Sequence, residues 1–397
     1  VETFDAWRPL LARCAATDTN DGAAFALFGD FLRELARTKP SLAPRLLGDA
    51  ALVRFLPGIL NGLAQSADGD LYRKTFDDYL GKGEQLTALA VHLQAQDEPH
   101  LKDAEAILNK AIARKDRSAI AQSLVLGVQQ HAADVAFCTE HMLVPVLQYA
   151  VETSDPDLLY QGWFLREAKA LLPKLSEPHA ALFLQSQLPL RRIDHRHERV
   201  LGLIAQGHPQ LVWDFLKARL ATRAEDSYQA VPYQLHALAD ALSKDSDLAV
   251  TTVRGWFTRD DAWFRFKGGR VLHAVFHSFT KALGDSLIKL LACGTQDDVA
   301  FVIAVLQNYP GDTAIFPVIR EVVCAVPEGD PMLNGVDSLL GSTGVVGGEF
   351  GMVEAHRRKR NIIAPWIDDA DPKVQAFAKQ RVHDLDQQIA AEQRRAE

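Results

Sequence analysis

The sequence contains no C-x-x-C pair, no apolar run approaching the ~20 residues a membrane helix needs, no basic excess and almost no alternating strand-like stretch. Its four cysteines, Cys14, Cys138, Cys293 and Cys324, lie far apart. Each sits among apolar residues, which predicts buried free thiols in a reducing, cytoplasmic compartment. A formal net charge of −8 argues against a general binder of nucleic acid or of membrane surfaces, whose footprint is a basic excess. A local basic groove stays compatible with that balance. A secretory signal is missing too, since the opening Val1-Glu2-Thr3-Phe4-Asp5 is acidic and amphipathic. No initiator Met is present, and the closing Gln393-Arg394-Arg395-Ala396-Glu397 stops inside a helical pattern, so both ends read as cut from a longer chain.

Helical periodicity fills the space these absences leave. Asp155-Pro156-Asp157 precedes an apolar series through Leu158, Leu159, Trp163, Leu165, Ala168, Leu171 and Leu172. Asp371-Pro372-Lys373-Val374 precedes Phe377, Ala378, Val382 and Leu385. Asp caps a helix and Pro fits its first turn, so each phrase marks a helix start. The apolar residues then return every three or four positions, the stripe of a helix packed on one side. Helix starts are expected near Phe4, Ala23, Pro44, Leu71, Glu84, Leu101, Ala119, Asp134, Asp157, Pro178, Ile193 and Pro209. Further starts fall near Ser227, Leu248, Ala262, Asp285, Asp297, Thr313, Glu349 and Pro372. One pair follows the next at roughly 35–45 residues, the range of armadillo and HEAT arrays, while the tetratricopeptide pattern does not recur. The expected fold is all-α: a HEAT-like α-solenoid of stacked antiparallel helix pairs, one continuous array over 1–397. Its rhythm is interrupted by an irregular Gly-rich loop around 327–351 and closes in a charged terminal helix over 371–397.

Few residues suggest chemistry. The glycines of Gly341-Ser342-Thr343-Gly344-Val345-Val346-Gly347-Gly348 are followed by no Lys and preceded by no strand, so a structural loop is a better reading than a phosphate loop. His273 and His277 share one helix face, but Ala274 stands where a metalloprotease needs Glu, and spacing offers no third ligand; no metal or cofactor is expected. No G-x-S-x-G elbow occurs, and the adjacent acids Asp77-Asp78, Asp260-Asp261 and Asp297-Asp298 suit helix starts. Two basic patches remain, Arg191, Arg192, Arg196 and Arg199 with interleaved Asp194 and Glu198, and Arg357, Arg358, Lys359 and Arg360. An ion-paired or solvated helix face is the plainer reading of each; phosphate contact is the alternative. The segment 254–279 mixes Arg254, Arg259, Arg265, Lys267 and Arg270 with Trp256, Phe257, Trp263, Phe264, Phe266, Phe276 and Phe279. Such residues anchor a partner when exposed and plug a core when buried. Phe257 and Phe264 fall on an inward stripe, which favours the core. If the segment is exposed, Trp256, Arg259, Trp263, Arg265 and Arg270 are the partner-binding candidates.

The closing region, with Gly347-Gly348-Glu349-Phe350-Gly351, Pro365-Trp366 and Asp371-Pro372-Lys373-Val374-Gln375-Ala376-Phe377-Ala378, resembles the C-terminal HEAT-like end of large bacterial multidomain proteins. Several of these are similar to antiphage defence proteins in which an effector or signalling NTPase is joined to a helical-repeat sensor. The resemblance covers about the last fifth of the chain and implies a recognition part without a catalytic one. The expected function is therefore a non-enzymatic protein-interaction or sensor module with a protein partner. A nucleic-acid-binding array using the basic patches is the alternative, disfavoured by net charge.

Overall fold

The structure, a computed structural model, describes residues 4–15, 26–159, 166–222, 230–232, 234–257, 262–292, 294–327, 329–342, 347–348 and 350–396. Among these residues every regular element is a helix and no strand occurs. The chain separates into two compact units, Val1–Pro189 and Leu190–Glu397.

In the first unit the main helices are α1 (Phe4–Ala15), α2 (Ala26–Thr38), α3 (Leu56–Ala64), α4 (Gly69–Lys82), α5 (Leu86–Gln94), α6 (Leu101–Arg114), α7 (Arg117–Gln130), α8 (Val144–Thr153) and α9 (Glu177–Gln187). Here α2, α3, α5 and α7 pack in succession, while α4 and α6 pack on each other and on the helices between which they fall in sequence. A π-helical stretch, Cys138–Leu143, runs into α8. The α2–α3 crossing is close because Gly62 has no side chain: a Cβ there would overlap the Arg33 carbonyl oxygen.

In the second unit follow α10 (His195–Gly207), α11 (Pro209–Thr222), α12 (Ala237–Leu242), α13 (Ser246–Arg254), α14 (Ala262–Val275), α15 (Lys281–Ala292) and α16 (Gln296–Leu306). The unit closes with α17 (Phe316–Ala325), α18 (Leu333–Gly341), α19 (Gly351–Ile363) and α20 (Pro372–Ala396). Two rows form, one of α10, α12, α14, α16 and α18, the other of α11, α13, α15, α17 and α20.

Aspartate sets many of the starts. Asp68, Asp116, Asp134 and Asp245 each accept a hydrogen bond from a backbone N–H in the first turn, satisfying a donor that has no intrahelical partner. Asp371 accepts from Lys373 N at the start of α20, as its Asp-Pro phrase predicts. Asp155, accepting from Leu158 N, opens only a four-residue 3-10 helix, Pro156–Leu159, and not one helix running through Leu172. A turn at 166–167 precedes the separate helix Ala168–Leu171. Predicted starts at Phe4, Leu101, Pro209, Ala262 and Pro372 coincide with observed ones, whereas those at Ala23 and Ser227 lie outside the described residues. The region 327–351 is not wholly irregular. Leu333–Gly341 is helical because Val336, Leu339 and Leu340 bury there, and that apolar gain outweighs the poor helix propensity of Gly335. Cys14 is exposed, contrary to the expectation of four buried thiols; Cys138 is buried, Cys324 is half-buried and Cys293 lies outside the described residues.

Several polar bonds join residues about one helix pair apart in sequence. In the first unit His141 meets Glu105 at 2.9 Å and Arg117 meets Asp155 at 2.6 Å, separations of 36 and 38 residues. In the second, Arg270 donates to Val231 O at 3.0 Å, Ser246 meets Ser286 at 2.9 Å and Lys289 meets Asp247 at 2.7 Å, 39 to 42 residues apart. The first unit also buries a polar cluster: His92 touches Asn61 Oδ1 at 2.6 Å through Nδ1, and Tyr72 Oη and Gln96 Nε2 at 3.0 Å through Nε2. Burial holds the His92 imidazole neutral and pushes its pKa down to about 4.

Candidate functional site

The first unit carries an apolar groove between α1 and α2. It has a volume of about 620 Å³ and is lined by Phe4, Trp7 and Leu11 of α1, Phe31 and Leu35 of α2, and the following Lys39, Ser41 and Leu42. Polar contacts fix α1 from one side. Arg45 pairs with Asp5 and its guanidinium lies 4.9 Å from the Phe4 ring centroid; Arg8 pairs with Asp49 at 3.2 Å; Arg54 donates to the Ala15 carbonyl at the helix end. Those contacts leave the Trp7–Leu10 side of α1 uncovered. On α2, Leu32 and Ala36 are buried while Phe28 stacks on Phe31 and meets Phe55 edge-on at 5.1 Å. Trp7 is 59 % exposed, Leu10 46 %, Leu27 86 % and Phe31 48 %. Of the seven large apolar side chains exposed among the described residues, these four belong to the same two helices; Val91, Val135 and Phe350 are scattered. Isolated exposed apolar residues are ordinary, whereas a contiguous group beside a groove marks a surface built to be covered.

The sequence-predicted anchors have other placements. Trp256 is 7 % exposed and meets the fully buried Trp213 edge-on at 6.0 Å, and Phe257 meets Phe301 edge-on at 5.6 Å. Arg270 is 8 % exposed and spends its guanidinium on Val231 O. These two partner-binding candidates are therefore core groups of the second unit, with no surface to offer a partner. The inward stripe expected from Phe257 wins because α13 and α14 have helix neighbours on both sides. Arg259 lies outside the described residues, as do the side chains of Trp263 and Arg265, whose backbone belongs to α14.

The two basic patches are rearranged by folding. Asp194 caps α10, accepting from Arg196 N and His197 N, and Glu198 turns inward to accept from His236 N at 2.6 Å. Neither acid is then spread along the outer face as the sequence suggests. Arg191, Arg192, Arg196 and Arg199 are all exposed, and among the described residues Arg192 and Arg199 make no ion pair. In the second patch Lys359 is buried, a correction to its place in a surface cluster. Its ammonium donates to Leu340 O at 2.5 Å and Ser342 O at 2.6 Å, closing the C-terminal end of α18. Burial pushes its pKa down to about 8. Arg360 pairs with Asp386 of α20 at 2.8 Å, which leaves Arg357 and Arg358 exposed and without an ion pair among the described residues.

His273 and His277 are not gathered around a common centre. His273 meets Tyr309 edge-on at 5.0 Å, while His277 lies 5.7 Å from the ring of His236. Among the described residues no group of three His, Cys, Asp or Glu side chains is arranged to hold a metal ion. Thr343–Val346, the centre of the Gly-rich segment, lie outside the described residues. No helix among the described residues is long and apolar enough to cross a membrane. No family model, no curated protein and no solved structure matches the chain.

Sequence reading missed the groove because it weighed aromatic density rather than arc width. On α2 the apolar positions Leu27, Phe28, Phe31, Leu32, Leu35 and Ala36 span roughly 180° of the helix, well beyond the ≳ 100° that one buried face requires. That surplus was legible and points to a second apolar surface.

Proposed function

We propose that the chain is a non-enzymatic protein-interaction or sensor module whose units are runs of HEAT-like helix pairs forming an α-solenoid. The packing of alternate helices into rows supports the solenoid reading, as do polar ties 36 to 42 residues apart. One observation carries the functional part: the α1–α2 groove with Trp7 and Phe31 at its opening, an aromatic-lined slot of the kind that seats apolar side chains of a partner. The sensor role in a bacterial defence protein, implied by the resemblance of the closing region, belongs to the same proposal. Immobilised chain and its Phe31→Asp variant are compared for retained polypeptides, with far-ultraviolet circular dichroism as the folding control. Capture that disappears in the variant while the helical signal persists supports the reading; equal capture by both rejects it.

A specific observation also favours a second reading, nucleic-acid binding along α10. The turning-in of Glu198 leaves Arg192 and Arg199 less neutralised than their sequence neighbours imply. Phosphate contact by these two would give a salt dependence of log affinity with slope of about −2 on a labelled duplex. Salt-insensitive binding, or none, removes it.

A further inference from the structure

We propose that the α1–α2 face closes on the same face of a second copy of the chain. This rests on the reading of the groove as a docking site and names its occupant.

The face carries both a hole and the means to fill one. Phe4, Trp7, Leu11, Phe31, Leu35 and Leu42 line the groove, while Leu10 and Leu27 stand exposed on the same two helices outside that lining. A two-fold axis brings the projecting leucines of each copy to the groove of the other, the self-complementary arrangement of an isologous interface. Among the described residues the other large exposed apolar side chains, Val91, Val135 and Phe350, are scattered, whereas this face gathers four together. That favours a closed pair over head-to-tail growth.

Charge agrees. Arg13 and Lys39 are exposed and make no ion pair among the described residues, and Asp30 and Glu34 are exposed on α2. Asp30 and Glu34 are held by Arg33 and Arg37 of the same helix at 3.0 and 2.6 Å, so the rim carries both signs and lacks the single-sign field that would repel its own copy. The exposed parts of Trp7, Leu10, Leu27 and Phe31 offer roughly 500 Å² per copy and about 1,000 Å² for the pair, the lower bound for a specific interface. Association is therefore concentration-dependent.

Sedimentation velocity over about 1–100 μM protein tests this, using the wild-type chain and the single variants Leu10→Asp and Leu27→Asp. Leu27 is almost fully exposed, so its replacement leaves the folded copy intact, which circular dichroism checks. The expected result is a wild-type shift from monomer to dimer and at least tenfold weaker association in both variants. A wild-type chain that stays monomeric throughout, or a dimer indifferent to both substitutions, overturns the proposal. A monomeric wild type whose partner capture is still abolished by Phe31→Asp sinks only the second copy. Capture unaffected by Phe31→Asp, together with dimerisation indifferent to Leu10→Asp and Leu27→Asp, sinks the docking site itself.

Discussion

Two aromatic-rich stretches of this protein have opposite fates. Around Trp256 and Phe257 the rings are buried against Trp213 and Phe301; on α1 and α2, Trp7 and Phe31 remain about half exposed. Composition does not separate them. What separates them is the number of neighbours: α13 packs on both α11 and α15, whereas α2 has α3 as its main helix partner. A helix flanked on two sides spends a wide apolar arc on its neighbours, and a helix flanked on one side leaves half of the same arc in solvent. Aromatic density marks where something must be covered; packing order decides whether the protein's own chain does it.

The sharpest way to break this contrast is truncation on each side of it. Trp213→Ala removes a fully buried ring and is expected to cost about 3–5 kcal/mol in denaturant unfolding, while Trp7→Ala is expected to cost under about 1 kcal/mol and to weaken association instead. Equal losses of stability would erase the distinction. Next comes the buried polar cluster within the groove-bearing unit. His92 has a folded-state pKa depressed from 6.5 to about 4, so the neutral imidazole is favoured and its stabilising contribution is full above pH 6.5. That contribution is lost as pH falls from about 6.5 towards 4, up to about 3 kcal/mol. Thermal melts of wild type and His92→Gln across that window check it, the variant showing the flatter dependence. Lys359 supplies a smaller effect in the other unit. Lys359→Ala strips the carbonyls of Leu340 and Ser342 of their donor and is expected to cost about 1–3 kcal/mol, whereas an exposed neighbour, Arg358→Ala, is expected to change stability by less than about 0.5 kcal/mol. The smallest stability effect belongs to Arg192→Ala with Arg199→Ala. They leave the melt unchanged and, if α10 contacts phosphates, lower the salt slope of duplex binding by about 2.

Much of the fold was legible and much less of the site. Asp-Pro starts at Asp371 and the three-to-four spacing of Val374, Ala378, Val382 and Leu385 give α20 almost to the residue, because capping and periodicity are local. Helix α18 was hidden by glycine: Gly335 and Gly341 signal a loop, and only the tertiary burial of Val336, Leu339 and Leu340 overrides them. The side-chain fates were hardest to read, since they depend on contacts tens of residues away. Lys359 looks like one of four surface cations until the Leu340 and Ser342 carbonyls 19 and 17 residues back claim it. Glu198 looks like a neutralising neighbour of Arg196 and Arg199 until the backbone of His236, 38 residues on, takes its carboxylate.

The α1–α2 face itself can be interrogated through Cys14, a free, exposed thiol one turn beyond Leu10 on α1. Its rate of alkylation by a maleimide, read by peptide mass spectrometry, is predicted to be fast in dilute protein and to fall as concentration passes the association midpoint, while Leu27→Asp keeps it fast throughout. A wild-type rate that does not change with concentration would contradict the account.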